Sequence, residues 1–493
     1  MIPLITPADM RQMEQRFFRE TGVASIELME VAARALCDAI LARYGADRTV
    51  YFACGPGGNG GDGYACARML RQAGGRAAIV SVREPTSPDA AENLRRARAA
   101  GVPEAPADRP DVWVDALYGT GLSRAPAGPA ADLIRRINAD RAQGSAVVAV
   151  DIPSGLNGLT GTAYDPCVAA DVTVAFQYAK PGCLLADGPD MSGDIVTPDI
   201  GIPAAFYPAG SPALSEDADA VAALPKRPRN FHKGMAGHLL IVAGSFGMAG
   251  AAAMCALSAM RTGAGLTTVA CPASVVPVLQ TLAPCAMCAP LPERDGALAP
   301  EAAGMLRELL PGKSAVVCGC GLSRRAAPEV IEVLLDGDVP TLFDADALNL
   351  IAAHPGLKAS LRPRHLLTPH PGEARRLLDR PLTDPLADAR ALAGLGARAL
   401  LKGATTVIMT EDRPVISARG TSGMAKGGSG DCLSGIIGAL MAQNPAPDPA
   451  ECAVAGCLLH GAAGELARAR RGVRGMLPTD LIDALPEVLT RYE

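Results

Sequence analysis

The sequence predicts an α/β protein of two domains, each built on a largely parallel sheet. Short apolar runs alternate with helical runs in both halves of the chain, which is typical of doubly wound sheets. The chain has 493 residues, well above the roughly 150 of one average domain. Prolines cluster and the periodicity is lost around residues 203–230. We therefore place a linker at about 208–225, with domains at 1–212 and 226–493.

The N-terminal domain is predicted to begin with two helices. Thr6-Pro7 has the pattern of a cap followed by a first-turn proline, and Gly22 that of a helix end. A second helical run extends from Ser25 to about Gly45. The β-type runs that follow, most of them separated by helical runs, are Val50–Cys54, Ala77–Val82, Val112–Ala116, Val147–Val150 and Val172–Phe176.

The C-terminal domain shows the same alternation without a sequence repeat of the first half. We therefore expect a second, different domain rather than a duplication. Its predicted strands are His238–Ala243, Leu266–Ala270, Ala315–Cys318, Thr341–Phe343, Leu366–Thr368, Ala399–Leu401 and Val407–Thr410.

The composition argues against several classes of protein. Hydrophobic residues make up 49% and charged residues 20%, which allows large cores and is not typical of disorder. The net charge of −5 gives no basic field for nucleic acid or anionic lipid. The start MIPLITPADM is not a signal peptide, and no apolar run reaches about 18 residues. We expect a cytoplasmic homo-oligomer that binds small molecules, not nucleic acid or membrane.

A glycine-rich loop, GPGGNGGDG at residues 55–63, follows the first predicted strand and precedes a predicted helix, Tyr64–Gln72. Its glycines satisfy the GxGxxG pattern of a Rossmann-like dinucleotide site, and Glu84 follows at the end of the next strand. Asn59 and Asp62 do not fit an ordinary site, because a carboxylate there would compete with the pyrophosphate. The loop is predicted to present side-chain oxygens as well as backbone N–H groups, a plain turn being the alternative.

Further polar residues follow other predicted strands, at the edge where open α/β sheets bind ligands. Asp115 ends one strand, Asp151 and Ser154 lie in DIPSGL, and Lys180 lies in FQYAKPG. The oxygen atoms of Asn59, Asp115 and Ser154 are suited to an alkali cation. Asp151 and Lys180 are candidates for proton transfer. Each aspartate alone could be a helix cap, but several such loops at one edge predict a binding site.

The motifs GPGGNGGDG, VDALYGTGL, VDIPSGL and FQYAKPG resemble the NAD(P)H-hydrate epimerase family, the YjeF N-terminal domain, over about residues 1–210. The resemblance implies inversion at C6 of hydrated NADH or NADPH, whose hydroxyl must leave and return. We assign Asp151 as the acid/base group, with Lys180 second. The resemblance also implies that Asn59, Asp115 and Ser154 bind potassium. The substrate contacts that it implies are Gly58, Asn59, Gly60, Gly61, Asp62, Gly119, Thr120, Gly121, Leu122, Ser123, Arg124 and Asp151.

The C-terminal half contains a different glycine-rich loop, GTSGMAKGGSGD at residues 420–431, before a predicted helix, Cys432–Gln443. Backbone amides at such a helix start form an anion site. Asp431 is a candidate general base for a hydroxyl group, with a helix cap as the alternative. Lys402, between two short predicted strands in LKGATTVI, is suited to a nucleotide phosphate, with a solvated hairpin as the alternative.

Three more loops of this half follow predicted strands. His370 lies between two prolines in LTPHPGE, which favours ligand contact over a structural role. Gly319 and Gly321 give CGCGLS a tight turn. Asp344 and Asp346 in FDADALN either position Mg²⁺ or water or cap the next helix, and the sequence does not decide between these roles.

The motifs AGSFGMAGAA, CGCGL, DADALN, LTPHPGE, LKGATTVI and GGSGD resemble the ADP-dependent NAD(P)H-hydrate dehydratase family, relatives of ribokinase-fold kinases, over about residues 226–493. Cys320 stands where the family pattern has proline, so we expect altered loop rigidity rather than lost function. ADP as co-substrate, rather than ATP, rests on the resemblance alone, and we expect Mg²⁺ at the same site. The nucleotide contacts implied are Lys402, Gly403, Ala404, Thr405, Thr406 and Gly430. The implied contacts with the hydrated cofactor are Gly321, His370, Asp431 and a residue near Ala252.

These resemblances together imply repair of hydrated NADH and NADPH. The N-terminal domain would epimerise the R and S hydrates, and the C-terminal domain would dehydrate the S hydrate while ADP becomes AMP and phosphate. Asp431 would remove the hydroxyl proton, the terminal phosphoryl group would move to that oxygen, and phosphate would leave. One alternative is a sugar or vitamin kinase fused to an oxidoreductase, against which Asn59 and Asp62 argue. The other is a non-catalytic N-terminal module, against which the polar loops argue.

Overall fold

The computed structural model describes residues 1–104, 108–444 and 448–492. The chain divides into two compact units, one of Pro3–Pro212 and one that runs from Ala213 onwards and includes Met1–Ile2. Both units are α/β and are built on largely parallel sheets, which confirms the predicted fold class. Within the described ranges, no helix is long and apolar enough to cross a membrane.

Strands β2 to β7 of the N-terminal unit form a parallel sheet in the order β3-β2-β4-β5-β6-β7. The strand order reverses between β2 and β4, and ligands bind outside the carboxyl ends of strands at such a switch point. The elements up to residue 212 are β1 (Ile2–Pro3), α1 (Pro7–Thr21), α2 (Ser25–Tyr44), β2 (Thr49–Cys54), α3 (Gly58–Gln72), β3 (Arg76–Ser81), α4 (Pro88–Ala99), β4 (Val112–Ala116), α5 (Pro129–Ala142), β5 (Ala146–Val150), β6 (Val172–Val174), α6 (Gly188–Ser192) and β7 (Asp194–Val196).

The first two helices end where their capping residues predict. The Thr6 hydroxyl accepts a hydrogen bond from the Asp9 N–H at 3.1 Å, and Gly22 ends α1 with φ of 76°. Helix α2 begins at Ser25 and is followed by Gly45, which confirms the second prediction.

Helix α3 starts earlier than the sequence predicted, at Gly58 rather than Tyr64. The glycines explain this difference. A Cβ atom on Gly60 would lie 1.9 Å from the Gly55 carbonyl oxygen, so only glycine lets the first turn pack this closely on the end of β2. Asn59 and Asp62 therefore lie on the first two turns of the helix rather than in a loop.

The sheet of the N-terminal unit buries both of its faces. Val50, Phe52 and Cys54 of β2 pack with α1, α2 and α3, whereas Tyr51 and Ala53 pack against the opposite cluster. This alternation follows from the two-residue period of a strand. Both layers hold the strand ends in place at the carboxyl edge of the sheet.

The C-terminal unit has a longer mixed sheet, in the order β1-β8-β19-β18-β17-β16-β15-β14-β9-β10-β11, in which β18 is antiparallel to both neighbours. A separate hairpin pairs β12 with β13. The elements from residue 213 are β8 (Ala213–Leu214), α7 (Asp217–Ala223), β9 (His238–Val242), α8 (Ala249–Thr262), β10 (Leu266–Pro272), α9 (Val276–Leu282), β11 (Met287–Leu291), β12 (Glu293–Arg294), β13 (Ala297–Leu298), α10 (Ala302–Leu309), β14 (Ala315–Cys318), α11 (Pro328–Asp336), β15 (Thr341–Phe343), α12 (Ala345–Ala353), α13 (Pro355–Ala359), β16 (His365–Leu367), α14 (Pro371–Leu378), α15 (Pro385–Ala393), β17 (Arg398–Leu401), β18 (Thr406–Met409), β19 (Pro414–Ser417), α16 (Ser429–Gln443), α17 (Pro449–Gly475) and α18 (Pro478–Thr490).

The prediction of a linker over residues 208–225 is wrong for most of that segment. It contains β8, which joins the sheet of the C-terminal unit beside β19, and α7, whose Ala220 is fully buried in the core of that unit. The prolines that suggested a linker flank these elements instead of replacing them. Helices α8, α16 and α17 contribute about half of the residues of the same core.

Candidate active sites

A cavity of about 780 Å³ lies in the N-terminal unit, at the carboxyl ends of its strands. Its position agrees with the switch point between β2 and β4. Gly60 and Gly61, which were also predicted as contacts, are buried under the first turn of α3. The predicted contacts that line the cavity are Gly58, Asn59, Asp62, Gly119, Thr120, Gly121, Leu122, Ser123, Arg124 and Asp151.

Asp151 and Lys180 form an ion pair at the end of β5. Asp151 lines the cavity, whereas Lys180 is fully buried behind it and pairs with its Oδ1. The Asp151 backbone has a left-handed φ of 65°, which is strained for a non-glycine residue and is typical of functional sites. The Phe176 N–H donates to Asp151 Oδ1 at 3.2 Å. Lys180 therefore holds Asp151 in place rather than facing a ligand.

Two more carboxyl groups, Glu14 and Asp62, line the cavity near Asp151. Burial, followed by the charge of Asp151, raises the pKa of Glu14 to about 7. Burial and the charges of Asp151 and Glu14 raise the pKa of Asp62 well above its ordinary value. The raised pKa of Asp62 weakens the repulsion that we expected between its carboxylate and a phosphate.

The predicted cation ligands converge on the turn Leu117–Gly119. Asp115 is fully buried and accepts hydrogen bonds from the Ser154 N–H at 2.7 Å and the Ser154 hydroxyl at 2.6 Å. Ser154 also bonds to Tyr118, and Asn59 lies against Gly119. Burial raises the pKa of Asp115 to about 6, which these hydrogen bonds oppose.

This donor set fits a monovalent cation. It offers one buried carboxylate from Asp115, the hydroxyl oxygen of Ser154 and the amide oxygen of Asn59. No group of three or more His, Cys, Asp or Glu side chains suited to a metal occurs among the described residues. Hard oxygen ligands with a single negative charge suit potassium better than a divalent ion.

In the C-terminal unit, Lys402 and Asp344 form a largely buried ion pair at the carboxyl ends of β17 and β15. Lys402 Nζ lies 2.6 Å from Asp344 Oδ1, and the Ser434 hydroxyl donates to Asp344 Oδ2 at 2.7 Å. Asp344 also caps α12 by accepting from the Ala345 N–H. Of the two roles left open for Asp344, the structure therefore has the helix cap, and the carboxylate is occupied by Lys402.

The loop before α16 has the features of an anion site. Gly428 precedes the helix with φ of 102°, and the N–H groups of Gly430 and Asp431 have no acceptor among the described residues. A Cβ atom on Gly430 would lie 3.5 Å from Lys402 Nζ, so the loop and the lysine meet. The Nε2–H of buried His460 donates to the Ser429 carbonyl at 3.0 Å and holds the first turn.

Asp431 is half-buried on the first turn of α16. Burial, followed by the charge of Asp344, raises its pKa to about 6. Contact with the Cys320 thiol lowers the pKa and opposes that shift. A carboxyl group that is ionised just below neutral pH is suited to act as a general base.

The remaining predicted residues have structural contacts of their own. His370 caps α14, since its Nδ1 accepts from the Gly372 N–H at 3.0 Å, and its side chain is about half exposed. Asp346 accepts from the Ser323 N–H at 2.9 Å and so fixes the CGCGLS turn. A Cβ atom on Gly319 would lie 1.8 Å from the Asp344 carbonyl oxygen, so this turn requires glycine.

Comparison with known proteins gives the family. The model for NAD(P)H-hydrate dehydratase matches residues 239–487, and that for the YjeF-related protein N-terminus matches residues 25–182. The chain is 37% identical to a bifunctional NAD(P)H-hydrate repair enzyme of Moorella thermoacetica, over 99% of this chain and 97% of that protein. It is 36% identical to its counterpart in Coxiella burnetii, over 98% and 99%. The chain belongs to the family of bifunctional NAD(P)H-hydrate repair enzymes.

A solved structure confirms the fold predicted for the second half of this family member. A ribokinase-like superfamily protein from Enterococcus faecalis matches with a TM-score of 0.50 and 26% identity, over 57% of this chain and 96% of that chain. The C-terminal unit is therefore ribokinase-like, as its motifs predicted.

The predicted NAD(P)H-hydrate contacts of the C-terminal unit do not all face an open site. Ala252 is fully buried in the core, so that residue is not available to a ligand, whereas Gly250 of the same helix is exposed. Of the predicted nucleotide contacts, Gly403 and Ala404 are exposed in the β17–β18 turn, and Thr405 and Thr406 are partly exposed. The Lys402 N–H donates to the Pro369 carbonyl, which brings this turn beside the His370 loop.

Sequence reasoning missed three residues at the two sites. Glu14 follows Met10 by four residues and lies on the apolar face of α1. The sequence signal that could have identified it is a carboxyl group within a stripe of buried apolar residues. Arg83 lines the cavity just after β3, where Glu84 had been considered, and Glu84 instead pairs with Arg98. His460, alone in an apolar stretch of α17, gave no signal beyond that of a core residue.

Proposed function

We propose that this protein repairs hydrated NADH and NADPH. Its N-terminal unit epimerises the R and S hydrates, and its C-terminal unit dehydrates the S hydrate at the expense of ADP, giving AMP and phosphate. Membership of the family supports both activities. The observation that supports the dehydration is that Asp431, whose pKa is about 6, lies beside Lys402 and beside loop N–H groups that have no acceptor among the described residues.

The proposed dehydration requires a general base and a phosphate-binding site that act on the same hydroxyl group. Asp431 takes the proton of the C6 hydroxyl, whose oxygen attacks the terminal phosphorus of ADP while the bond to AMP breaks. The C6–O bond then breaks with phosphate as the leaving group, and loss of a C5 proton restores the ring double bond. Lys402 and the amides of Gly430 and Asp431 stabilise the charge on the transferred group. Hydroxide is a poor leaving group and phosphate a good one, which explains a kinase-like site in a dehydratase.

The charges around the N-terminal cavity orient its substrate. Arg83 follows β3 and Arg124 follows β4, and both line the cavity without an ion-pair partner in the part of the chain that the structure describes. The carboxyl groups gather around Asp151, which follows β5. We place the phosphates of the hydrate at the two arginines and its damaged ring at the acidic end.

Each site has a proposed cation. Potassium on Asn59, Asp115 and Ser154 would neutralise a buried carboxylate and fix the Leu117–Gly119 turn beside the cavity. Mg²⁺ would accompany the phosphates of the nucleotide, because Asp344 is committed to Lys402 and the described residues form no cage of ligands. We also retain a cytoplasmic location and a homo-oligomer as proposals, which fractionation and light scattering would test.

The proposed function is tested with a mixture of the two NADH hydrates. The protein is incubated with ADP or with ATP, and the products are separated by chromatography. We expect both epimers to disappear, with NADH and AMP formed from ADP in equal amounts. Asp431→Asn should lower dehydration by about 10²–10⁴-fold and leave epimerisation intact. Asp412→Asn, an exposed residue of the β18–β19 turn, removes the same charge as a control. A stable phosphorylated product would instead indicate a kinase.

A further inference from the structure

Glu14 is a carboxyl group on the otherwise apolar face of α1. Met10, Met13 and Phe17 of this helix are buried, and Glu14 lies one turn beyond Met10 on the same side. Met10, Glu14 and Phe18 all line the N-terminal cavity. Helix α1 is therefore one wall of the cavity, and Glu14 is the acidic group that this wall presents to a ligand.

The start of α1 is tied to the segment that carries Lys180. The Ile5 N–H donates to the Ala179 carbonyl at 3.0 Å, and Leu4 forms a parallel bridge with Ala179. Two residues after Leu4, Thr6 caps the helix. The helix is thus anchored to the segment Ala179–Lys180, whose lysine pairs with Asp151, and this fixes the position of Glu14 relative to Asp151.

The charged groups around Glu14 leave its carboxyl group with an exchangeable proton. Asp62 faces it from α3, Asp151 from the end of β5, and Lys180 from behind Asp151. Lys180 is committed to Asp151 by their ion pair. Burial and the Asp151 charge raise the pKa of Glu14 to about 7, whereas the pKa of Asp62 is raised well above its ordinary range. Glu14 is therefore the carboxyl group of this cluster that exchanges its proton near neutral pH.

We propose that Glu14 is the catalytic acid of the epimerisation and donates its proton to the C6 hydroxyl of the hydrate. This inference rests on the proposed function of the N-terminal unit. As the C6–O bond breaks, its electron pair leaves with water, and the lone pair of the adjacent ring nitrogen forms a C=N double bond. Water then adds to the other face of C6, and the proton it releases returns to the carboxylate of Glu14. The composition of the hydrate is unchanged.

Asp151 has a different role in this scheme from the one the sequence predicted. Because its carboxylate is held by Lys180, it supplies a fixed negative charge instead of a proton. That charge stabilises the cationic ring that forms when water leaves. In this scheme Glu14 transfers the proton, the role that we had assigned to Asp151, and Asp151 stabilises the charge.

The test uses the complete chain, whose C-terminal unit reports on its N-terminal unit. With an epimer mixture and excess ADP, NADH should form in a fast phase from the S hydrate and a slower phase limited by epimerisation of the R hydrate. We expect Glu14→Gln to slow the second phase by about 10²-fold or more and to leave the first unchanged. Glu20→Gln, exposed near the end of the same helix, removes the same charge and should behave as the wild type.

The pH profile separates a catalytic role from a structural one. The second-phase rate of the wild type should fall as pH rises through about 7, because the acid form of Glu14 is lost. Glu14→Gln should lack this fall, Glu14→Asp should recover part of the rate, and Asp62→Asn should keep the fall. A second-phase rate of Glu14→Gln within threefold of the wild-type rate would overturn the inference. So would a decrease with rising pH that is lost in Asp62→Asn but kept in Glu14→Gln. A wild type that forms no NADH would contradict the proposed function instead.

Discussion

The ammonium group of Lys402 lies 2.6 Å from Asp344 Oδ1, while Asp344 Oδ2 accepts a hydrogen bond from Ser434. Asp344 is 2% exposed and Lys402 19% exposed. Although burial acts in the opposite direction, the Asp344 charge raises the pKa of Lys402. The lysine that faces the phosphate loop is therefore held by a carboxylate that also caps α12.

We predict that Asp344→Asn destabilises the C-terminal unit by about 3 kcal/mol, because Lys402 then stays largely buried without a counter-ion. Urea unfolding followed by circular dichroism measures this change. Trp113, the single tryptophan of the chain, is buried in the N-terminal unit, so its fluorescence transition should not move. Asp336→Asn, an exposed residue at the end of α11, is the matched control. Equal midpoints for the two variants would contradict the prediction.

The dehydration should accelerate with rising pH, because Asp431 acts as a base and must be ionised. With a pKa of about 6, the rate should rise about tenfold between pH 5 and pH 7. Cys320→Ala should move the midpoint to higher pH, since the thiol lowers the pKa of Asp431. Cys318→Ala, a buried cysteine in β14, controls for lost packing. The nucleotide titrates in the same way with both variants, so a difference between the midpoints of their pH–rate profiles comes from the protein. A midpoint that stays fixed would show that the thiol has no such effect.

Potassium should stabilise the N-terminal unit specifically. At a concentration of 100 times its dissociation constant, a ligand of the native state adds about 2.7 kcal/mol of stability. The midpoint of the Trp113 fluorescence transition should therefore rise when potassium replaces a large organic cation at equal ionic strength. Asp115→Asn should abolish the rise, whereas Asp111→Asn, exposed one residue before β4, should keep it. A rise of equal size in Asp115→Asn would place the ion elsewhere.

Arg83→Ala should weaken the epimerisation of hydrated NADPH more than that of hydrated NADH. An arginine after the second strand of a Rossmann-like sheet is placed to bind a ribose 2′-phosphate, and Arg83 lines the cavity at that point. We expect KM for hydrated NADPH to rise about tenfold or more, with kcat little changed. Arg71→Ala, exposed near the end of α3, serves as the control. Equal losses for both hydrates would assign Arg83 to the shared pyrophosphate.

The sequence predicted the scaffold better than the roles of individual groups. Apolar runs such as Ala315–Cys318 and Thr341–Phe343 coincide with β14 and β15, because buried parallel strands have few alternatives. Strands without such runs were missed, among them Asp194–Val196, a short edge strand with two exposed residues. The helix in 217–223 was hidden by flanking prolines.

The chemistry of single carboxyl groups depends on contacts between distant segments. The sequence around Asp344 is compatible with a cation ligand or a helix cap, whereas its ion pair is made with Lys402, 58 residues away. Glu14 lies 137 residues before Asp151 and has no motif of its own. Their roles come from the folded arrangement: an ion pair with Lys402 holds Asp344, and burial and the charge of Asp151 raise the pKa of Glu14.

Because each unit has its own core and its own site, one polypeptide carries both centres in a fixed ratio of one to one. Translation of this chain therefore always produces the two centres in equal amounts. The Enterococcus faecalis chain matches over 57% of this chain and 96% of its own length, so its fold corresponds to the C-terminal unit alone. Fusion therefore couples the supply of the two catalysts at the level of gene expression.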